Sequence, residues 1–225
     1  KNKINLSQAF ILTVLSWIII ALFSSLPFIF SSSDLNFTDA FFESISGITT
    51  TGATVIVQLD NLSEGILIWR SFLQWFGGIG IIVLALAILP TLQIGGMQLL
   101  HMEHDDPYEK TLPKIGQFVF EIFLIYLLLT FTCAFFYFIA GMSGFDSISH
   151  AMTTIATGGF SNYNESIGHF DSFLIEITSI IFILLGSIPF IAYIKFLNGD
   201  RKIFFSDTQI KTFFKIILFS IIILF

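Results

Sequence analysis

The chain has 225 residues, 55% of them apolar and 12% charged, and a mean hydropathy of +0.87. A soluble domain usually carries about twice that charged fraction, which excludes a water-soluble globule and a disordered tail alike. A net charge of -6 and a pI near 5.0 leave no basic patch for nucleic acid, and the single cysteine, Cys133, excludes an internal disulfide and a cysteine-built metal site. This composition belongs to an integral membrane protein.

Charges cluster along the chain, and the gaps between clusters set the architecture. Ile4 to Ser33, Ser71 to Met102, Ile122 to Phe145 and Ile177 to Ile194 carry no charge, and Ile216 to Phe225 is apolar but for Ser220. A bilayer core ~30 Å thick takes ~20 helical residues, and hydrocarbon supplies no partners for unpaired backbone groups. Spanning helices are therefore expected at about 9–30, 65–90, 115–140 and 172–197, with a fifth beginning near 212. The first apolar run follows Lys1 and Lys3 but is too long for a signal-peptide core, and no Ala-x-Ala site follows it. A Lys at position 1 and an apolar run at the other end lead us to expect a fragment of a longer chain.

The basic residues set an expected orientation. Lys1 and Lys3 precede the first helix, Lys110 and Lys114 lie between the second and third, and Lys195, Arg201, Lys202, Lys211 and Lys215 lie between the fourth and fifth. Connections 31–64 and 141–171 hold no Lys or Arg, but contain Asp34, Asp39, Glu43, Asp60, Glu64, Asp146, Glu165 and Asp171. The positive-inside rule then puts the N-terminus in the cytoplasm and both acidic connections outside, with only Arg70 against the pattern.

Each acidic connection runs from a polar turn through a short apolar segment into a Thr/Gly cluster. The first is Asp39-Ala-Phe-Phe-Glu-Ser-Ile-Ser-Gly-Ile-Thr-Thr-Thr-Gly-Ala-Thr54; the second is Asp146-Ser-Ile-Ser-His-Ala-Met-Thr-Thr-Ile-Ala-Thr-Gly-Gly-Phe160. Asn36 or Thr38 is placed to cap the first short helix, and Ser143 or Asp146 the second. Helices this short cannot cross, so they are expected to enter the membrane and turn back, buried in protein or lining a wet cavity. Asp39 and Asp146 are 107 positions apart, and Gly52 and Gly158 are 106 apart, which marks an internal repeat. The expected organisation is an all-α integral membrane protein built from repeated units of helix, re-entrant pore helix, filter loop and helix. It would have a first repeat (1–100), a cytoplasmic connection (101–114), a second repeat (115–198), and a loop opening a third repeat (199–225).

A cation entering hydrocarbon must receive oxygens in place of its water. Consecutive backbone carbonyls can supply them where glycine permits unusual φ/ψ, with Thr hydroxyls adding more. Thr50-Thr51-Gly52-Ala53-Thr54 and Ala156-Thr157-Gly158-Gly159-Phe160 meet this description without a side-chain charge. The carbonyl end of each preceding short helix favours a cation, and Asp34, Asp60, Glu64 and Glu165 would concentrate cations at the mouth. The plainer reading, two helix-breaking turns with no ion, accounts less well for their duplication.

Arg70, about one and a half turns into the second helix, either repels a cation, braces a filter strand through a carboxylate such as Glu43, or snorkels to the outer interface. Glu43 is expected in a structural hydrogen bond behind the filter. His101, Glu103, His104, Asp105 and Asp106 read as a solvated loop, not a metal site, since no second ligand group accompanies them. Glu121 and Glu176 are expected at headgroups, with a proton path through Glu121 as the lesser alternative, and His150 as a packed donor. Gly77, Gly78 and Gly80 permit close helix approach. Asn36, Asn61 and Asn164 head N-x-Ser/Thr triplets, but so does Asn5 on the opposite side, so the pattern carries little weight. No Walker loop, dinucleotide motif or nucleophile elbow is present, so no enzyme is expected.

Three stretches resemble the bacterial TrkH/KtrB potassium transporters of the Trk/Ktr/HKT superfamily, the TrkH branch most closely. They are FFESISGITTTGATVI (41–56), WRSFLQWFGGIGIIVLALAILPTLQIGGMQL (69–99) and HAMTTIATGGFS (150–161). The second, with Gln74-Trp75, Gly77-Gly78-Ile79-Gly80 and Gly95-Gly96, is far more specific than the Thr-Gly turns. The resemblance implies four repeats in pseudo-fourfold symmetry around one pore in the bacterial inner membrane, K+ as the transported ion, and membrane lipid as surroundings. It also implies homodimers and a cytoplasmic TrkA-like nucleotide-binding regulatory subunit. By resemblance the filter positions are Thr50, Thr51 and Gly52, then Ala156, Thr157 and Gly158, supported by Ala53, Thr54, Gly159, Glu43 and Arg70. Two repeats and the start of a third make about half the family length, so the alternative is a truncated, non-transporting membrane fragment with a structural or regulatory role.

Overall fold

The computed structural model describes residues 6–31, 35–92 and 111–224, and every element of regular structure among them is helical. In chain order these are α1 (Leu6–Ser24), α2 (Leu26–Phe30), α3 (Phe37–Ile48), α4 (Glu64–Leu92), α5 (Thr111–Ile139), α6 (Gly144–Ile155), α7 (Phe173–Ser187), α8 (Phe190–Leu197), α9 (Ile203–Ser206) and α10 (Thr208–Leu224). Single 3-10 turns occupy Leu59–Asn61 and Ser166–Phe170. Among the described residues two stretches are long and apolar enough to cross a membrane, Phe10–Phe30 and Gly116–Ile139, or three if the bent pair α7–α8 forms one span. The His101–Asp106 cluster, Asp34, Lys110 and Gly95-Gly96 lie outside the described residues.

Two proline breaks refine the expected helices. Pro27 has no N–H to continue the ladder of the first helix, so α1 gives way to α2 at Ser25. The indole Nε1 of Trp69 donates to the carbonyl of Ser24 at 3.0 Å, pinning that break to α4. The expected continuous helix over 172–197 is corrected. Pro189 holds Ile188 in extended geometry (ψ 135°), and α7 and α8 meet at 83°. The carbonyl of Leu185 at this elbow accepts from the hydroxyl of Tyr193 at 2.7 Å, so the bend carries its own polar contact.

The short helices pack in the same way. α3 lies against α1 and α4, and α6 lies against α5 and α7, while α6 also packs on α4 and joins the two halves. Packing is closest where glycine replaces a side chain. A Cβ on Gly77 of α4 would lie 2.0 Å from the carbonyl oxygen of Ile48, and one on Gly186 of α7 would lie 2.8 Å from that of Ile155. A Cβ on Gly78 would meet the Tyr126 hydroxyl at 2.8 Å. Gly80 departs from the expectation: its nearest neighbour is the Trp17 ring at 3.8 Å, an ordinary contact. The main apolar core gathers Trp75, Tyr126, Cys133, Tyr137, Met152, Ile155 and Phe182. Its polar atoms are paired: Trp75 donates to Thr130 at 3.0 Å, and the Tyr137 hydroxyl bonds Thr154 and Ser179 at 2.8 and 2.9 Å.

Candidate functional site

Each short helix begins with a local cap. The side chain of Asn36 accepts from the amide of Asp39 at 2.9 Å, and the hydroxyl of Ser143 accepts from the amide of Asp146 at 3.1 Å. Thus Asn36 and Ser143, not Thr38 or Asp146, fill the cap positions. The helices then end identically. Thr50 N–H donates to Gly47 and Thr51 N–H to Ser46, while Thr157 N–H donates to Thr154 and Gly158 N–H to Thr153, all at 2.9–3.0 Å. This is the paired 5→2 and 6→1 closure of a Schellman motif. Its left-handed position, where glycine is the usual occupant, is held by threonine in both copies, Thr50 at φ 55° and Thr157 at φ 52°. A β-branched residue there is strained by roughly 1–3 kcal/mol, and strain repeated at matched positions points to a functional constraint.

The backbone also settles the internal register. Caps, left-handed threonines and closing bonds all recur at a spacing of 107, and the positive-φ glycines that follow are Gly52 (φ 80°) and Gly159 (φ 83°). The expected pairing of Gly52 with Gly158 is therefore corrected by one residue. Thr50 corresponds to Thr157, Thr51 to Gly158 and Gly52 to Gly159, while Ala156 corresponds to Thr49, the C-cap. Composition concealed this, because Gly158 precedes a second glycine and either could match Gly52.

The two turns touch. A Cβ on Gly52 would lie 2.0 Å from the carbonyl oxygen of Gly158. Among the described residues the carbonyls of Thr50, Thr51, Gly52, Thr157, Gly158 and Gly159 accept no hydrogen bond. Neighbouring carbonyls do: Ala53 accepts from the Ser46 hydroxyl at 2.6 Å, and Ser161 from Arg70 Nη1 at 2.8 Å.

Behind the turns lies a buried polar layer. Arg70 does not snorkel; it is 1% exposed, and its Nε meets Glu43 Oε1 at 2.8 Å. Glu43 also accepts from the Thr54 hydroxyl at 3.0 Å and the Val55 amide at 3.1 Å. The guanidinium carbon sits 4.2 Å from the centroid of the Phe160 ring. One arginine thereby holds both turns, through Glu43 on the first and Ser161 on the second. At the position matching Glu43, His150 bonds the carbonyl of Asp146 at 2.9 Å and the hydroxyl of Ser161 at 3.0 Å, in line with the packed role expected for it. Gln74, one turn along α4 from Arg70, accepts from the Phe160 amide at 3.0 Å. The sequence offered a signal for Gln74 beyond its motif: it and Arg70 stand four apart on one face of a largely apolar helix.

At the same end of the molecule, Asn164 joins the two connections by accepting from the Leu59 amide at 3.2 Å and donating to Asp60. Burial pushes the Asp146 carboxyl up, but hydrogen bonds from Asn162, Ser143 and Tyr163 outweigh it and hold the group below its ordinary range. Tyr163 is raised, first by burial and then by the charge of Asp146. Glu64 and Glu165 are exposed, and Glu121 accepts from Gln117 at 3.2 Å on its own helix. No group of three or more His, Cys, Asp or Glu side chains able to hold a metal occurs among the described residues.

Residues 1–224 match the family model for TrkH, described as a cation transport protein. The chain belongs to the TrkH family. It is 43% identical over 219 residues to the Trk system potassium uptake protein TrkI of Halomonas elongata, covering 96% of this chain and 44% of that protein. It is 46% identical over 217 residues to the Trk system potassium uptake protein TrkH of Escherichia coli K12, covering 95% and 45%. The crystal structure of the potassium transporter TrkH from Vibrio parahaemolyticus superposes with a TM-score of 0.82 at 41% identity, covering 94% of this chain and 44% of that one. The chain thus spans somewhat less than half the length of these TrkH-family relatives.

Proposed function

We propose that these residues form two repeats of the translocating subunit of a Trk-type system that takes up K+ across the bacterial inner membrane. The role is transport, not catalysis. The observation that carries this is the contact of two matched Thr-Gly turns whose carbonyls have no protein partner. Oxygens freed in this way replace the hydration shell of a cation, and neutral turns can release it again. In the structural register the filter comprises Thr50, Thr51 and Gly52 with Thr157, Gly158 and Gly159. Ala156, Ala53 and Thr54 flank them, and Arg70 and Glu43 brace them from behind.

α3 and α6, of 12 residues each, would reach ~18 Å and so act as re-entrant pore helices, their carbonyl ends favouring a cation at the turns. The N-terminus would be cytoplasmic, with Asp60, Glu64 and Glu165 at the outer mouth. Residues 1–100 and 115–198 would form the two repeats, 101–114 a cytoplasmic connection, and 199–225 the opening of a third. Two turns line half of a carbonyl ring, so the complete subunit would need two more, and it would work as a homodimer with a TrkA-like nucleotide-binding regulator. Uptake would follow the membrane potential, worth ~2.3 kcal/mol per charge per 100 mV.

The test is rubidium uptake by the complete subunit carrying Gly52→Val in cells without other potassium uptake. A side chain at Gly52 meets both a left-handed φ and the Gly158 carbonyl, so uptake should fall by about tenfold or more. Wild-type flux and selectivity in this variant would remove the filter assignment.

A further inference from the structure

Gln74 is fully buried, and the structure surrounds it with both turns. Its Oε1 accepts from the N–H of Phe160, the residue directly after the left-handed Gly159. A Cβ on Gly158 would lie 2.4 Å from its Cδ and Oε1, and one on Gly52 would lie 3.6 Å from its Nε2. That Nε2 is buried and without a hydrogen-bond partner among the described residues. A buried side-chain amide with an unused donor is costly, roughly 1–3 kcal/mol, so its presence calls for a return elsewhere.

We propose that Gln74 is a specificity-determining positioning residue, a strut that sets the separation of the first and second filter turns. The proposal rests on the filter reading above. Its logic is geometric: the position of the Gly158 carbonyl relative to Gly52 is defined on one side by the turn contact and on the other by the amide of Gln74. Arg70 tethers the ends of the same turns, but through Glu43 and Ser161. Among the described residues, Gln74 is the side chain nearest to where the two glycine backbones meet. Gly158, the match of Thr51, has no left-handed φ, so a side chain there meets the Gln74 amide and not a backbone constraint. A loosened strut lets the turns shift by tenths of an ångström, and a cage fitted to K+ then admits the smaller Na+.

The experiment measures inhibition of rubidium uptake by Na+, normalised to membrane protein, in the complete subunit. Gln74→Met keeps the volume and removes the amide, and should lower the preference for rubidium over Na+ by several-fold to about tenfold, the scale of one lost buried hydrogen bond. An unchanged preference in this variant overturns the strut. Should Gln74→Met fail to accumulate, the pair Gly158→Ala and Gly158→Ala/Gln74→Ala carries the test. The single variant should lose uptake, and removal of the amide should restore uptake with poor selectivity; additive effects overturn the proposal. Gly52→Val separates the two ideas. If it disrupts selectivity while Gln74→Met does not, the strut fails and the filter stands; if neither does, the filter reading fails as well.

Discussion

Behind the first turn stands a carboxylate, Glu43, and behind the second an imidazole, His150, at matched positions 107 apart. Each reaches the hydroxyl that lies two residues after the positive-φ glycine, Thr54 in one case and Ser161 in the other. The backbones agree to within a few degrees at the left-handed threonines, yet one is supported by an ion pair and the other by neutral hydrogen bonds. Geometry is therefore what the two copies share, and charge is where they differ. Arg70 accounts for the difference: its single charge needs one carboxylate, and its Nη1 serves the neutral side by meeting the Ser161 carbonyl, while its buried Nη2 has no hydrogen-bond partner among the described residues.

Removing charge from the first turn should expose this asymmetry most strongly. Glu43→Leu leaves Arg70 buried and unpaired, a loss of about 3–5 kcal/mol, whereas Glu43→Leu/Arg70→Met removes both charges and should recover much of it. Thermal unfolding in detergent checks this, and equal destabilisation of single and double variants would mean that the pair is not coupled. His150 carries no such partner, so His150→Leu should cost less than Glu43→Leu, closer to the ~1 kcal/mol of a neutral hydrogen bond.

The glycine contacts sharpen the comparison at an intermediate scale. Gly77→Ala drives a methyl into the Ile48 carbonyl and should cost about 1–3 kcal/mol, with Gly186→Ala against Ile155 somewhat milder; Gly80→Ala should be neutral or stabilising in the same melts. The caps give the smallest effects. Asn36→Ala and Ser143→Ala should each cost ~1 kcal/mol, and near-equal values would show that the helix starts are as equivalent as their geometry.

Much was legible before any coordinates. Uncharged intervals located the long helices, since desolvating a charge in hydrocarbon is costly enough to purge it from a span. Capping is a contact between residues three apart, so the choice was readable as Asn36 or Thr38 and as Ser143 or Asp146, and the backbone decided for Asn36 and Ser143. The Thr-Gly turns stood out by composition, and Arg70 with Glu43 by the cost of leaving either alone. Pro189 was visible too, but whether a proline bends a helix by 83° depends on what lies beside it, here Gly186 on Ile155 and Tyr193 on Leu185.

What the amino-acid order by itself determined is the membrane class, the two short capped helices and the residue types at the turns, because hydropathy, capping and glycine chemistry act within a few residues. Tertiary structure alone decided that Gly52 pairs with Gly159, that Gly52 rests against the carbonyl of Gly158, and that Gln74 stands between the turns. Those facts join segments tens to about a hundred residues apart, and only packing two short helices against one long one brings their backbones into van der Waals contact.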